Sequence, residues 1–152
     1  MTRVEADRLV QEALRQLKEE QRELFHLDVS ERALTHHLAN CISERVPEGL
    51  NVDVEYNRHH SDPKHLILPK RKASDRELGA TTVFPDIIVH VRGTDESNLV
   101  VLEVKKKGQS LEYDCHKLRA FRAELRYCHA GHVIVGVDAD GRATAELEWL
   151  PG

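Results

Sequence analysis

Long apolar runs and aromatic residues are scarce in this sequence. Three Phe, three Tyr and one Trp occur among 152 residues. No run approaches the roughly 18 consecutive apolar residues that cross a bilayer, so we expect no transmembrane helix and no membrane partner. The N-terminal stretch MTRVEADRLV carries acids and lacks the apolar segment of a signal peptide. We therefore expect a cytoplasmic protein.

Cysteine and histidine do not occur in the spacings of common metal sites. Cys41, Cys115 and Cys128 include no CxxC pair, and their odd number favours reduced, mostly buried thiols. None of the histidines forms an HExxH motif, so we interpret them as structural or solvent-exposed rather than as zinc ligands. His90 lies inside an apolar run and is interpreted as a core residue. The sequence also lacks the P-loop, dinucleotide-binding and GxSxG motifs, which excludes the usual nucleotide-binding and serine-hydrolase classes.

Basic side chains are concentrated in two stretches although the net charge is −4. The first stretch covers residues 58–72 and the second covers residues 105–126. Local positive charge of this kind is what contacts with a phosphate backbone require, and a solvated surface is the plainer alternative for either stretch. The side chains predicted to contact a nucleic acid are Arg58, Lys70, Arg71, Lys72, Arg119 and Arg122.

Apolar periodicity predicts an alternation of helices and strands in a single domain over residues 1–152. The predicted helices cover residues 3–26, Asp28 or Ser30 to about Arg45, and about 110–127. The predicted strands cover residues 51–58, 65–68, 87–91, 99–104 and 132–137. The last segment, 144–150, is predicted to be a strand or a short helix.

Two apolar runs, 87–91 and 99–104, flank a segment with turn-forming residues and predict a β-hairpin. The second run is apolar on both faces, as expected for a strand that lies inside a sheet. The hairpin is therefore predicted to form the centre of the fold.

Charged residues occur where this oily hairpin ends. Folding the hairpin about its loop brings Asp86 across from the segment Glu103-Val104-Lys105. Side-chain alternation places Glu103 and Lys105 on one face and Val104 on the other. Burying two carboxylates and an ammonium is costly without a purpose. A magnesium ion supplies one, because Mg²⁺ favours one or two carboxylates together with water and phosphate oxygens.

The segments Pro85-Asp86 and Glu103-Val104-Lys105, with the two acids 17 positions apart, resemble the core motif of the PD-(D/E)xK nuclease superfamily. The resemblance covers residues 29–137. It implies an α/β fold with a mixed central sheet of four to five strands flanked by helices, the restriction endonuclease-like core. We assign this core to residues 28–137, with an outer helix at 1–27 and a C-terminal extension at 138–152.

The resemblance also implies an activity, the Mg²⁺-dependent hydrolysis of phosphodiester bonds in nucleic acid, with DNA as the favoured substrate and Mn²⁺ as a substitute ion. In that superfamily the residues matching Asp86, Glu103 and the Val104 carbonyl hold the metal, and the residue matching Lys105 orients and helps to deprotonate the attacking water. A non-catalytic nucleic-acid-binding or assembly module on the same fold is the alternative. Either function could be performed by a homodimer or within a larger complex.

Related nucleases often carry a further glutamate on the first core helix, and helical phase distinguishes two candidates. Leu34 and Leu38 lie within about 60° of Glu31, which places Glu31 on the apolar face. Glu44 lies about 220° away and is predicted to face solvent. We therefore predict that Glu31 contributes to the metal site directly or through water. A partner for the helix dipole is the alternative role for an acid in a first turn.

Asp114 and Lys117 form a second polar pair, on the late helix. Asp114 begins the apolar face of that helix, and Lys117 follows one turn later. In the superfamily, polar residues of this helix reach into the site or hold the catalytic lysine. An exposed i,i+3 ion pair is the alternative.

Overall fold

The computed structural model describes residues 1–56, 65–67 and 80–152 and shows an α/β fold. A five-stranded mixed sheet has the strand order β1-β4-β5-β6-β7, and a separate two-stranded sheet pairs β2 with β3. The helices are α1 (Arg3–Glu20), α2 (Arg22–His26), α3 (Glu31–Ser43) and α4 (Glu112–Leu125). The strands are β1 (Asn51–Val54), β2 (His65–Ile67), β3 (Ala80–Thr82), β4 (Ile87–His90), β5 (Val100–Lys106), β6 (His129–Val137) and β7 (Ala143–Trp149). The predicted fold class is confirmed.

Strand β5 lies at the centre of the sheet. It pairs antiparallel with β4, as predicted for the hairpin, and parallel with β6 through the crossover helix α4. The other pairs of this sheet, β1 with β4 and β6 with β7, are antiparallel. The β5–β6 pair is therefore the parallel element that makes the sheet mixed.

Both faces of β5 are covered, because its side chains alternate between two apolar clusters. Val100, Leu102 and Val104 pack in the cluster that contains the buried faces of α1 and α3. Val101 packs in the other cluster, with Leu118 of α4. A strand covered on both faces reads as a continuous apolar run, which is the pattern that predicted its central position.

The N-terminal helix is interrupted where the sequence pattern predicted one continuous helix over residues 3–26. Gln21 adopts φ −116° and ψ 30°, which ends α1 and begins the short α2. The start of α3 is resolved between the two predicted caps: the Ser30 hydroxyl accepts a hydrogen bond from the Ala33 amide at 3.4 Å. Asp28 cannot serve as the cap, since it has a left-handed φ of 50°.

Strand β1 is shorter than predicted because Glu55 adopts a left-handed φ of 49°. This torsion turns the chain, so the predicted alternation is wrong beyond Val54. Val54 is 42% exposed, whereas Tyr56 crosses to the α4 side. There its ring lies 4.7 Å from that of His90, centroid to centroid. His90 is a satisfied core residue as predicted, bonded through Nε2 to Asp53 Oδ2 at 2.8 Å.

Two further predictions near the end of α4 are corrected. The helix ends at Leu125 because Arg126 has a left-handed φ of 56°. Tyr127 is therefore buried and Cys128, predicted to share the apolar face, is exposed.

The prediction that the three free cysteines are mostly buried is wrong, because only Cys41 of the three is buried. The C-terminal segment is a strand rather than a helix.

No helix in the part of the chain that the structure describes is long and apolar enough to cross a membrane.

The loop of the central hairpin is attached to the end of α4 by Asn98. This side chain is 1% exposed, and its amide donates a hydrogen bond to the Leu125 carbonyl at 2.7 Å. The Asn98 carbonyl accepts a hydrogen bond from the Cys128 amide at 3.0 Å. Asn98 therefore joins the hairpin, the helix end and the start of β6.

We expect Asn98→Ala to lower the free energy of unfolding by about 1–3 kcal/mol, because it leaves a buried carbonyl at the helix end without its donor. Denaturant unfolding measures this loss. Asn40→Ala is the matched control, since Asn40 is exposed and its side chain makes a surface hydrogen bond to His36. The control should change stability by less than about 0.5 kcal/mol. Equal losses in both variants would contradict the role assigned to Asn98.

Candidate functional site

The site begins where the hydrogen-bond ladder between β4 and β5 stops. Ile87 pairs with Leu102, so continuing the register places Pro85 opposite Val104. Proline has no amide hydrogen to donate. In its place the carboxylate of Asp86 accepts the hydrogen bond from the Val104 amide at 2.7 Å. The amide and carbonyl of one strand residue point to the same side, so the Val104 carbonyl also faces this gap.

Two ion pairs join β5 to α4 beside the gap. Lys117 Nζ lies 2.7 Å from Glu103 Oε2, and Lys105 Nζ lies 2.8 Å from Asp114 Oδ2. Glu103 and Lys105 therefore share the face toward α4, as the alternation predicted. The alternative of an exposed ion pair between Asp114 and Lys117 is wrong, since each is paired with the strand.

One cavity of about 420 Å³ collects these side chains. It lies among the first turn of α3, the start of β4, the end of β5 and the first turns of α4. The residues predicted for the site from the sequence that line it are Glu31, Asp86, Glu103, Val104, Lys105, Asp114 and Lys117.

Glu31 reaches the end of the hairpin, as the helical phase predicted. Its Oε2 accepts a hydrogen bond from the Lys106 amide at 2.8 Å. Glu31 and Asp86 thus cap successive outward-facing amides along the edge of β5 that β4 leaves open. Glu44 is exposed at the C-terminal end of α3, where it accepts a hydrogen bond from Gln16. Glu31 also lies in the first turn of α3, so the dipole role remains compatible with its position.

The two acids at the centre of the site, the buried Glu103 and the partly buried Asp86, act on each other. Burial first, and the charge of Asp86 second, raise the pKa of Glu103 well above its ordinary 4.5. Burial also raises the pKa of Asp86, against the hydrogen bond from Val104 and the charge of Lys117. Oε1 of Glu103 is buried and has no hydrogen-bond partner among the described residues. The site therefore holds two acids whose simultaneous ionisation is disfavoured, and one carboxylate oxygen without a hydrogen-bond donor among the described residues.

Lys105 is held as a cation. Burial alone would lower the pKa of Lys105, but the hydrogen bond and charge of Asp114 outweigh it and raise that pKa above 10.5. The charges of Glu31 and Asp86 act in the same direction. In the protein without a bound metal, Lys105 is thus an ammonium near neutral pH and cannot accept a proton.

The cavity contains oxygen donors of the kind that a magnesium ion binds. In residues 1–56, 65–67 and 80–152, no three His, Cys, Asp or Glu side chains are grouped to hold a metal. Mg²⁺ does not require such a group, because it is usually bound through one or two carboxylates with water and substrate phosphates. Asp86 and the unpartnered oxygen of Glu103 fit that set, with the Val104 carbonyl beside them. Glu31 already accepts one main-chain hydrogen bond, so its predicted part in metal binding stays a prediction.

Several residues of the cavity wall were not predicted. They are Arg32, Thr35, His36, Val54, Glu55 and Tyr113. Thr35 lies four residues after Glu31 on the same helix, so helical spacing could have identified it. Glu55 had no such signal, because its place depends on its left-handed torsion. It pairs with the exposed Arg32 at 3.1 Å.

The predicted nucleic-acid contacts lie outside this cavity. Arg119 is exposed on α4, and Arg122 donates to the Pro151 carbonyl; neither lines the cavity wall. The predicted contacts in the first basic stretch, Arg58, Lys70, Arg71 and Lys72, lie outside the described residues.

Comparisons of the chain with protein-family models, with curated proteins and with solved structures find no match.

The raised pKa of Glu103 predicts a pH dependence for the metal-free protein. Because the folded state binds this proton more tightly than the unfolded state, its contribution to stability is full below pH 4.5 and is lost as the pH rises through the folded pKa. Glu103→Gln cannot titrate, so its free energy of unfolding should fall less between pH 4.5 and 8 than that of the wild type. Denaturant unfolding in EDTA at several pH values measures the difference.

Glu146→Gln is the control for this experiment, since Glu146 is exposed on β7. It should keep the pH profile of the wild type. A Glu103→Gln profile that parallels the wild type would show that Glu103 is ionised normally in the fold.

Proposed function

We propose that this chain is a magnesium-dependent nuclease of the PD-(D/E)xK type that hydrolyses phosphodiester bonds of nucleic acid, with DNA as the favoured substrate. The observation that carries the proposal is the pair of acids, the buried Glu103 and the partly buried Asp86, that meet at the gap in the β4–β5 ladder. Two repelling carboxylates at low exposure destabilise a fold, and the Lys117 ion pair contacts one of them, through Glu103 Oε2. An apolar pair would fill the same space at lower cost. We infer that the acids serve a ligand rather than the fold.

A divalent ion at this position would be held by Asp86, Glu103 and the Val104 carbonyl. Bound there, it would supply Lewis-acid chemistry, polarising the scissile phosphate and stabilising the charge of the transition state. The fixed ladder gap aims the Asp86 carboxylate and the Val104 carbonyl into the cavity. Water and phosphate oxygens would complete the coordination.

Lys105 brings a fixed positive charge to the same cavity. Its ammonium can donate hydrogen bonds to the attacking water and to a phosphate oxygen. Asp114, through the 2.8 Å ion pair, holds the Lys105 side chain in place. The predicted transfer of a proton from water to Lys105 requires a lower pKa than the metal-free site allows. The proposal therefore assigns Lys105 to orientation and charge stabilisation, and proton transfer only when a bound cation lowers its pKa.

Contacts with the rest of the nucleic acid would lie around the cavity mouth. Arg32 is exposed at the wall of the cavity beside the first turn of α3. Its guanidinium group adds a positive charge that can contact the phosphate backbone. The basic stretch 58–72 lies mostly outside the described residues, and its part in binding stays a prediction.

The first test of the proposal is catalytic. We expect Asp86→Asn and Lys105→Met each to reduce Mg²⁺-dependent cleavage by about 100-fold or more, equivalent to about 2.7 kcal/mol in the barrier. Asparagine can still accept the hydrogen bond from the Val104 amide, so the ladder gap should keep its shape. Cleavage of single-stranded, duplex and branched DNA with Mg²⁺ or Mn²⁺ is the measurement.

Lys107→Ala is the matched control, because Lys107 follows the same strand but is exposed. Its activity should equal that of the wild type. Undiminished cleavage in both Asp86→Asn and Lys105→Met would place the reaction elsewhere in the chain.

The second test is the binding of the ion. At a hundredfold excess over its dissociation constant, a bound ion adds about 2.7 kcal/mol to stability. For a domain of this size, that raises the melting temperature by roughly 5–10 °C. We expect this shift with Mg²⁺ or Mn²⁺ in the wild type and its loss in Asp86→Asn. Ion binding without cleavage of any substrate would favour the non-catalytic module, and an equal shift in Asp86→Asn would exclude the assigned site.

A further inference from the structure

Lys117 forms an ion pair with the proposed metal ligand Glu103, and the proposed chemistry does not use this lysine. Its ammonium lies 2.7 Å from Glu103 Oε2 and 3.1 Å from the Phe84 carbonyl. The side chains of Glu103 and Lys117 are 2% and 12% exposed, so this is a buried ion pair. Such a pair does not contribute much net stability by itself, yet removing one partner strands the other charge.

The ion pair with Lys117 uses one of the two carboxylate oxygens of Glu103. Oε2 is bound to Lys117, whereas Oε1 is buried and unpartnered among the described residues. A cation could therefore bind Oε1 while Lys117 stays on Oε2. The two positive charges would then share one carboxylate and repel each other at short range.

The charge of the whole cavity leads to the same conclusion. Among the described residues, its wall contains five carboxylates and three cationic side chains, an excess of two negative charges when all are ionised. That excess equals the charge of one divalent cation. Without Lys117 the excess would be larger, so the attraction for a cation would increase and the empty cavity would be less stable.

We propose that Lys117 is a built-in counterion that stabilises the cavity in the absence of metal and, by the same charge, weakens the binding of a divalent cation. The inference rests on the proposed metal-dependent function and adds a determinant of ion affinity. In this role Lys117 positions Glu103 and sets the affinity for the ion, while Lys105 contacts the attacking water and the phosphate. The two lysines, paired with neighbouring carboxylates, are thus assigned different functions.

The test is the affinity for Mn²⁺, measured by isothermal titration calorimetry on the full chain without nucleic acid. Lys117→Met removes the charge and should lower the dissociation constant at least tenfold, about 1.4 kcal/mol. Its melting temperature in EDTA should be below that of the wild type, and Mn²⁺ should raise it by more. Lys117→Arg keeps the charge and should bind with an affinity within about threefold of the wild type.

Two further variants make the result decisive. Lys107→Met removes an exposed lysine near the same strand end and should leave the affinity unchanged. Lys117→Gln removes the charge but keeps a hydrogen-bond donor, and it replaces Lys117→Met if circular dichroism shows that the methionine variant is unfolded. Equal or weaker binding in the folded, uncharged variant would overturn the inference while leaving the metal site intact. A wild type that binds no divalent cation would overturn the proposed function and this inference together.

Discussion

The burial of a carboxylate in the central strand is the constraint on which the rest of the site depends. Glu103 is 2% exposed, and it lies in a strand that is covered on both of its faces. A charge in that position requires a cation, and α4 supplies it by placing Lys117 against the strand. Asp114 then meets Lys105 in the same way. The same two ion pairs therefore attach the crossover helix to the sheet and set the charge of the cavity.

The fold and the candidate site also share their hydrogen bonds. Because β4 begins only at Ile87, the end of β5 has no strand partner on this edge. Its amides need acceptors from elsewhere, and Asp86 and Glu31 provide them. Both carboxylates thus hold the backbone and line the cavity. Substitutions that remove the side chain would change the strand edge as well as the chemistry, so amide replacements separate the two effects better than alanine.

Local patterns predicted the hairpin, the alternation along β5 and the inward face of Glu31 correctly, since each depends on the period of a single element. The errors lie at single backbone torsions. Gln21 interrupts the first helix, Glu55 ends β1, and Arg126 ends α4. The last two adopt left-handed torsions that their residue types rarely take, so packing around them, rather than local preference, determines these conformations.

The sequence by itself determined which charged residues lie at the end of the hairpin and which face of β5 each of them takes. The pairing between the charges was decided only by the tertiary structure. Glu103 and Lys105 lie two residues apart on β5, and Asp114 and Lys117 lie three residues apart on α4. By sequence alone, each acid could pair with the lysine of its own element or with the lysine of the other. The parallel crossover packs α4 against this face of β5, where Glu103 and Asp114 are buried and Lys105 and Lys117 are mostly covered, so each charge finds its partner on the other element.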